Sequence, residues 1–139
     1  NNEDSYTQSI AISIYRTLSS QYLADKDIAL ARQKLGKALE ISPDNPRLLS
    51  DLVSLEIIEE NYDEASKLAS QIEAILPDNT IANYLRGQIY AAQKQWPQAI
   101  NQLELAWKSR PNDATAALPN FCLASAMSLS AKYWLDKVL

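Results

Sequence analysis

The stretch Ser42-Pro43-Asp44-Asn45-Pro46 closes an apolar run, and it returns twice: as Leu76-Pro77-Asp78-Asn79-Thr80 and as Arg110-Pro111-Asn112-Asp113-Ala114. Pro43, Pro77 and Pro111 stand 34 residues apart both times. A proline disfavours the α conformation in the residue before it, so each copy ends a helix. Asp and Asn then present side-chain oxygens to the unpaired amides of the helix that follows. In the first copy Asn45 is expected to cap and Pro46 to take the first helical position. The same few residues stop one helix and start the next.

Between these marks each unit divides in two. Leu48, Leu49, Leu52 and Leu55 run on to Glu60; then Asn61-Tyr62-Asp63-Glu64-Ala65 leads into Leu68, Ala69, Ile72 and Ile75. Both series have the three-and-four spacing of an amphipathic helix. Gln95-Trp96-Pro97-Gln98-Ala99 marks the same turn one period later, and Asp27-Ile28-Ala29-Leu30-Ala31 one period earlier. Ala31, Ala65 and Ala99 are again 34 apart, and a small residue there lets two antiparallel helices approach closely. Each period is a helical hairpin that cannot bury its apolar face alone, and stacking on its neighbour does so.

Composition agrees. The chain of 139 residues is 47% apolar with only two glycines, which suits one all-helical domain with a real core. Net charge is −4 and the isoelectric point is near 4.8, which argues against nucleic-acid phosphates as the main partner. The charge is uneven: residues 46–79 carry two basic and eight acidic side chains, 80–111 four basic and one acidic. No stretch approaches the ~18 uninterrupted apolar residues of a membrane span. The single cysteine excludes an internal disulfide. The chain opens on Asn1 and is read as a processed or excised piece, with compartment left open between cytoplasm and periplasm.

Residues 12–111 resemble three tetratricopeptide repeats, a family of 34-residue helical hairpins. The third unit carries the resemblance most fully, in Tyr84, Gly87, Tyr90, Trp96, Ala99, Leu103, Ala106 and Pro111. The first has Tyr15, Leu18, Ser19, Tyr22, Ile28, Ala31, Leu35, Ala38 and Pro43. The second keeps Leu49, Leu52, Tyr62, Ala65 and Pro77, but Val53, Glu56 and Ile72 depart from the usual Gly, Tyr and Ala, which predicts a slightly wider helix contact. The resemblance implies an all-α, right-handed α-solenoid of antiparallel helix pairs, with repeats near 12–45, 46–79 and 80–113 and a degenerate C-terminal cap or partial repeat over 114–139.

At the ends the pattern loosens. Ser5-Tyr6-Thr7-Gln8 reads as a capping box, placing the first helix start near residue 6. Pro119 should kink or restart a helix, and Ser130 should cap a last one holding Tyr133, Trp134, Leu135 and Val138.

Catalytic chemistry finds little material. There is no histidine, hence neither the commonest general base nor the commonest zinc ligand. Cys122, between Phe121 and Leu123, reads as a buried inert thiol. Gly36 and Gly87 lie far apart inside helices, so no phosphate-cradling loop exists. Glu59, Glu60, Asp63 and Glu64 form an acidic cluster that reads as a solvated turn rather than a cation site. Trp96 and Trp107 read as packing residues. No enzyme activity, cofactor or metal is expected.

A partner surface is implied by the resemblance, since the first helices of such repeats line a concave groove for an extended peptide or a helix. Carried onto this chain, the groove comprises Ser13, Arg16, Ser20 and Leu23; then Arg47, Ser50, Ser54, Ile57 and Ile58; then Tyr84, Gln88, Ala91 and Ala92, with Ile81 at the edge. Members that clamp the acidic C-termini of chaperones use lysine and asparagine there, and Ser20, Ser50 and Ser54 do not supply that clamp. A floor of Leu23, Ile57, Tyr84 and Ala91 suits an apolar segment or amphipathic helix, with Arg16 and Arg47 fixing a carboxylate. The expectation is a protein–protein interaction scaffold. Its rivals are self-association through the C-terminal end around Trp134, or an accessory domain of a larger assembly of the kind found in bacterial envelope and export systems.

Overall fold

The computed structural model describes residues 2–109, which fold into six α-helices: α1 (Asn2–Ala24), α2 (Ile28–Ile41), α3 (Pro46–Ile58), α4 (Tyr62–Ile75), α5 (Thr80–Ala92) and α6 (Trp96–Ser109). There is no strand among the described residues. The repeat mark at Pro111, the kink at Pro119, Cys122, the cap at Ser130 and the end around Trp134 lie outside them.

The Ser-Pro-Asp-Asn-Pro punctuation does what its chemistry requires. Asn45 caps α3, its side-chain oxygen accepting from the Arg47 amide at 3.0 Å, with Pro46 as the first helical residue. Asp27 caps α2 by accepting from the Leu30 amide at 3.2 Å. Before α5 the roles shift by one residue: Asn79 makes no side-chain cap, and Asp78 accepts from the Thr80 amide at 3.1 Å.

The start of α1 corrects an expectation. Ser5-Tyr6-Thr7-Gln8 is not a capping box but lies inside the helix, which begins at Asn2. Thr7 turns its hydroxyl back to donate to the Glu3 carbonyl at 2.8 Å instead of capping an amide. Glu3 and Asp4 fall in the first turn, where the helix dipole favours acidic side chains.

Inside each hairpin the period reappears in the backbone. Lys26, Glu60 and Lys94, spaced by 34, all have positive φ, at 63°, 63° and 60°. Around them the amides of Asp27, Asn61 and Gln95 donate to the carbonyls of Tyr22, Glu56 and Tyr90 at 2.8–2.9 Å. Lys26, Glu60 and Lys94 donate to Leu23, Ile57 and Ala91 at 3.0–3.1 Å. This is the Schellman closure of a helix C-terminus, in which one left-handed residue satisfies two orphan carbonyls.

The chain forms two compact units, Asn1–Asn61 and Tyr62–Leu139. In the first, α1 packs on α2 and α2 on α3. Its core is Ala31, Leu35, Ala38, Leu48 and Leu55, with Ile12, Tyr15, Tyr22, Leu23, Ile28, Leu39 and Leu52 packed around it. In the second, α4 packs on α5 and α5 on α6, and Ala82, Leu85, Ile89, Ala99, Leu103 and Ala106 are buried. Ala31, Ala65 and Ala99 are each completely buried, as their spacing implies.

The position facing that alanine shows how close the helices come. Gly87 on α5 has no room for a side chain: an added Cβ would lie 2.7 Å from Leu103 Cγ and 3.4 Å from the Ala99 carbonyl. Two hairpins earlier, in α1, Ser19 fills the equivalent place by donating its hydroxyl to the Ala31 carbonyl at 2.8 Å. Val53, Glu56 and Ile72, the three departures from the family pattern, are all buried.

Candidate partner-binding cleft

In the first unit, side chains of α1 and the α2–α3 turn enclose an open cleft of about 670 Å³. Ser5, Gln8, Ser9, Ile12, Ser13, Arg16, Thr17 and Ser20 line it from α1, and Ile41, Ser42, Asn45, Arg47 and Leu48 from the other side. The α1 residues recur every three or four positions, which brings them to one side of the helix. The turn held by Asn45 and Pro46 sets Arg47 opposite them.

Most of this lining is polar and uncharged. Thr17 donates to the Ser13 carbonyl at 2.9 Å, while the other serines and Gln8 carry both donor and acceptor capacity into the cleft. The two arginines differ. Arg16 is engaged by Asp51 of α3, with Nη2 at 3.3 Å from Oδ1 and Nε on Oδ2. That hydrogen bond raises the guanidinium pKa against the opposing effect of burial. Arg47 is exposed and its guanidinium forms no ion pair among the described residues. Of the two cations expected to receive a carboxylate, Arg47 is the available one.

Four of the groove residues read from the sequence, Ser13, Arg16, Ser20 and Arg47, line this cleft. Leu23 does not: it packs against the α2 core. Ser50 and Ser54 bend their hydroxyls onto the carbonyls of Pro46 and Ser50, at 2.8 and 3.3 Å. Ile57 is half-buried and Ile58 exposed on α3. In the second unit Tyr84 and Gln88 are joined by a 2.9 Å bond from the Gln88 amide to the phenol, with Ala91 and Ala92 half-buried beyond them. Sequence reasoning missed Ser5, Gln8 and Ser9, because they precede the formal repeat, and Ile12, which opens it. The Ser5–Ser9–Ser13 spacing of four was the available signal.

A polar cluster behind α3 was missed as well. Glu56, 5% exposed, accepts from Arg32 at 2.7 Å and from the Asn61 side chain at 2.9 Å, so both carboxylate oxygens are occupied. Arg32 also pairs with Glu59. The Arg32 hydrogen bond lowers the Glu56 pKa despite desolvation, and Asn61 adds to the effect. In the second unit Arg86 pairs with Glu73, lowering its pKa in the same way. Of the acidic turn, Glu59 is bound by Arg32 and Glu64 lies 3.5 Å from Lys67. Among the described residues no three His, Cys, Asp or Glu side chains converge as a metal site.

A family model described as tetratricopeptide repeat matches residues 22–74 and again 56–118. No curated protein matches. Among solved structures, the first such domain of Spaghetti (RPAP3), bound to an HSP90 peptide, superposes with a TM-score of 0.65 at 17% identity over 90% of this chain and 94% of that one. The TPR2B domain of yeast Sti1, in complex with pHsp70, gives 0.63 at 16% identity over 86% and 98%. An O-GlcNAc transferase from Thermobaculum terrenum gives 0.63 at 24% identity over 76% of this chain, which spans only 20% of the transferase. At these identities the likeness is one of fold.

Proposed function

From a chain that belongs to the tetratricopeptide repeat family and forms an all-α helical-repeat solenoid, we propose a non-catalytic protein-interaction module that holds an extended segment of another protein in the α1–α3 cleft. One observation carries this reading: the cleft is open and lined by hydroxyls and amides of both hydrogen-bonding senses, with Arg47 at its edge in no ion pair among the described residues. An extended peptide exposes main-chain donors and acceptors along its length, and such a lining can match both. An apolar helix laid on the same lining would strip water from these groups and return nothing, at a cost of about 1–3 kcal/mol for each polar group left unpaired. The cleft therefore favours the extended peptide over the amphipathic helix. Arg47 favours a segment with a carboxylate, from a side chain or a C-terminus. That two structural neighbours were solved with chaperone partners supports a peptide ligand in general terms.

The test uses peptides selected by display against the intact chain and titrated by fluorescence anisotropy. Ser13→Trp, which fills the cleft, and Arg47→Glu, which reverses its free charge, should each weaken binding at least tenfold with helicity unchanged. Wild-type affinity in both variants would refute the assignment. Ile57→Glu and Tyr84→Glu report on the alternative apolar groove: a loss confined to them would favour a helix as ligand.

A further inference from the structure

The cleft lining holds two arginines and no acid, yet one of the two charges is balanced by a residue outside it. Asp51 lies on α3 and takes Arg16 by two contacts, Nε on Oδ2 and Nη2 at 3.3 Å from Oδ1. The two side chains are 38% and 31% exposed. An ion pair that open to water contributes little to stability. Repeat register gives the acid no packing duty either: the residues 34 before and 34 after it are Thr17 and Leu85, neither of them acidic. What the pair changes is the charge of the cleft wall.

A guanidinium carries five N–H donors. Asp51 engages Nε–H and one on Nη2, which leaves three on a side chain that lines the cleft, one on Nη2 and two on Nη1. Donors on a charge already balanced suit a neutral acceptor such as a main-chain carbonyl. A carboxylate brought to the same donors would also meet the charge of Asp51, and like charges at that range repel. Arg47 is different. Exposed at the cleft edge and in no ion pair among the described residues, it keeps its full attraction for an anion.

Resting on the reading of this cleft as a peptide site, we propose that Asp51 is its specificity-determining residue: it limits the bound segment to one carboxylate, received at Arg47, and gives Arg16 to a main-chain carbonyl. Asp51 acts through Arg16, by positioning and neutralising it, and touches no ligand itself. The cleft takes singly acidic segments and discriminates by repulsion against a second carboxylate in reach of Arg16. Asp51→Asn keeps an acceptor for Arg16 at nearly the same volume and deletes only the charge.

The experiment uses the intact chain and one fluorescein-labelled peptide selected by display on the wild type, each of its neutral residues replaced in turn by aspartate. Anisotropy titrations are run at about 50 and 300 mM salt, where screening separates charge effects from neutral hydrogen bonds. In the wild type no replacement should tighten binding. In Asp51→Asn at least one should tighten it about tenfold, less at high salt, and the gain should vanish in Arg16→Gln/Asp51→Asn. Circular dichroism and melting curves should stay as in the wild type. A merely structural Asp51 would weaken every peptide alike and leave their ratios unchanged, which would overturn the proposal. Arg16→Gln, with Asp51 kept, is a second test: the parent peptide should weaken severalfold with its salt dependence unaltered. A loss of salt dependence as large as that of Arg47→Gln would mean that Arg16 already receives a carboxylate, and would overturn the proposal too. Affinities that Ser13→Trp leaves at the wild-type level would instead remove the cleft reading itself, and this proposal with it.

Discussion

Glu56 stands where the family pattern has tyrosine, and it is held by a guanidinium on the preceding helix and an amide in the following turn. Removing either partner of the Arg32–Glu56 pair is unequal. Arg32 is 39% exposed and can rehydrate if Glu56 is lost, whereas Glu56 at 6% cannot if Arg32 is lost. Arg32→Ala should therefore destabilise more than Glu56→Gln, by about 2–3 against about 1 kcal/mol, in urea denaturation near neutral pH. The sign with pH follows from the lowered Glu56 pKa. Between the folded and unfolded values the unfolded chain binds more protons, so the contribution is complete above the ordinary carboxylate range near pH 4–5 and is lost as acid titrates the folded carboxylate. Melting temperature should drop more steeply below pH 4 in the wild type than in Glu56→Gln. The two glycines part in the same residue-level way. Gly87→Ala drives a methyl into Leu103 and should cost about 1–3 kcal/mol, while Gly36→Ala, with nothing within 4 Å of the new Cβ, should gain up to about 1 kcal/mol of helix propensity.

At the level of elements, the left-handed backbone closure of the hairpin turns is the feature least visible in the sequence. Asn45, Pro46 and Asp27 announce helix starts because their side chains make the caps themselves. Lys26, Glu60 and Lys94 announce nothing, since a left-handed C′ residue is ordinarily Gly or Asn and these three adopt it through the backbone bonds around them. Left-handed backbone costs a residue with a Cβ roughly 1 kcal/mol. Lys26→Gly, Glu60→Gly and Lys94→Gly should accordingly each stabilise by about 0.5–1 kcal/mol, read as a rise in the chemical denaturation midpoint. A fall in all three would mean that the side chains, not the closure, hold the turns. Helix spans were legible because apolar spacing and proline both declare them. The Arg32–Glu56 contact was not, because a pair 24 residues apart on different helices leaves no local pattern.

For the molecule as a whole, the repeat register was legible from three prolines and three alanines, and it led to the first-helix surface as the place for a partner. Ser13, Arg16, Ser20 and Arg47 do come together there. What the register concealed is that the cleft begins before the repeat does, at Ser5, so that α1 contributes two extra turns of hydroxyl-bearing wall. It also concealed that Arg16 is held, because nothing local in the sequence sets Asp51 against it. The polar lining then changes the expected ligand from an apolar helix to an extended chain. The most direct measurement is an amide chemical-shift titration of the labelled chain with a display-selected peptide. The proposal predicts perturbations concentrated at Ser5, Ser9, Ser13, Ser20 and Arg47; saturable binding that leaves those amides unmoved would contradict it.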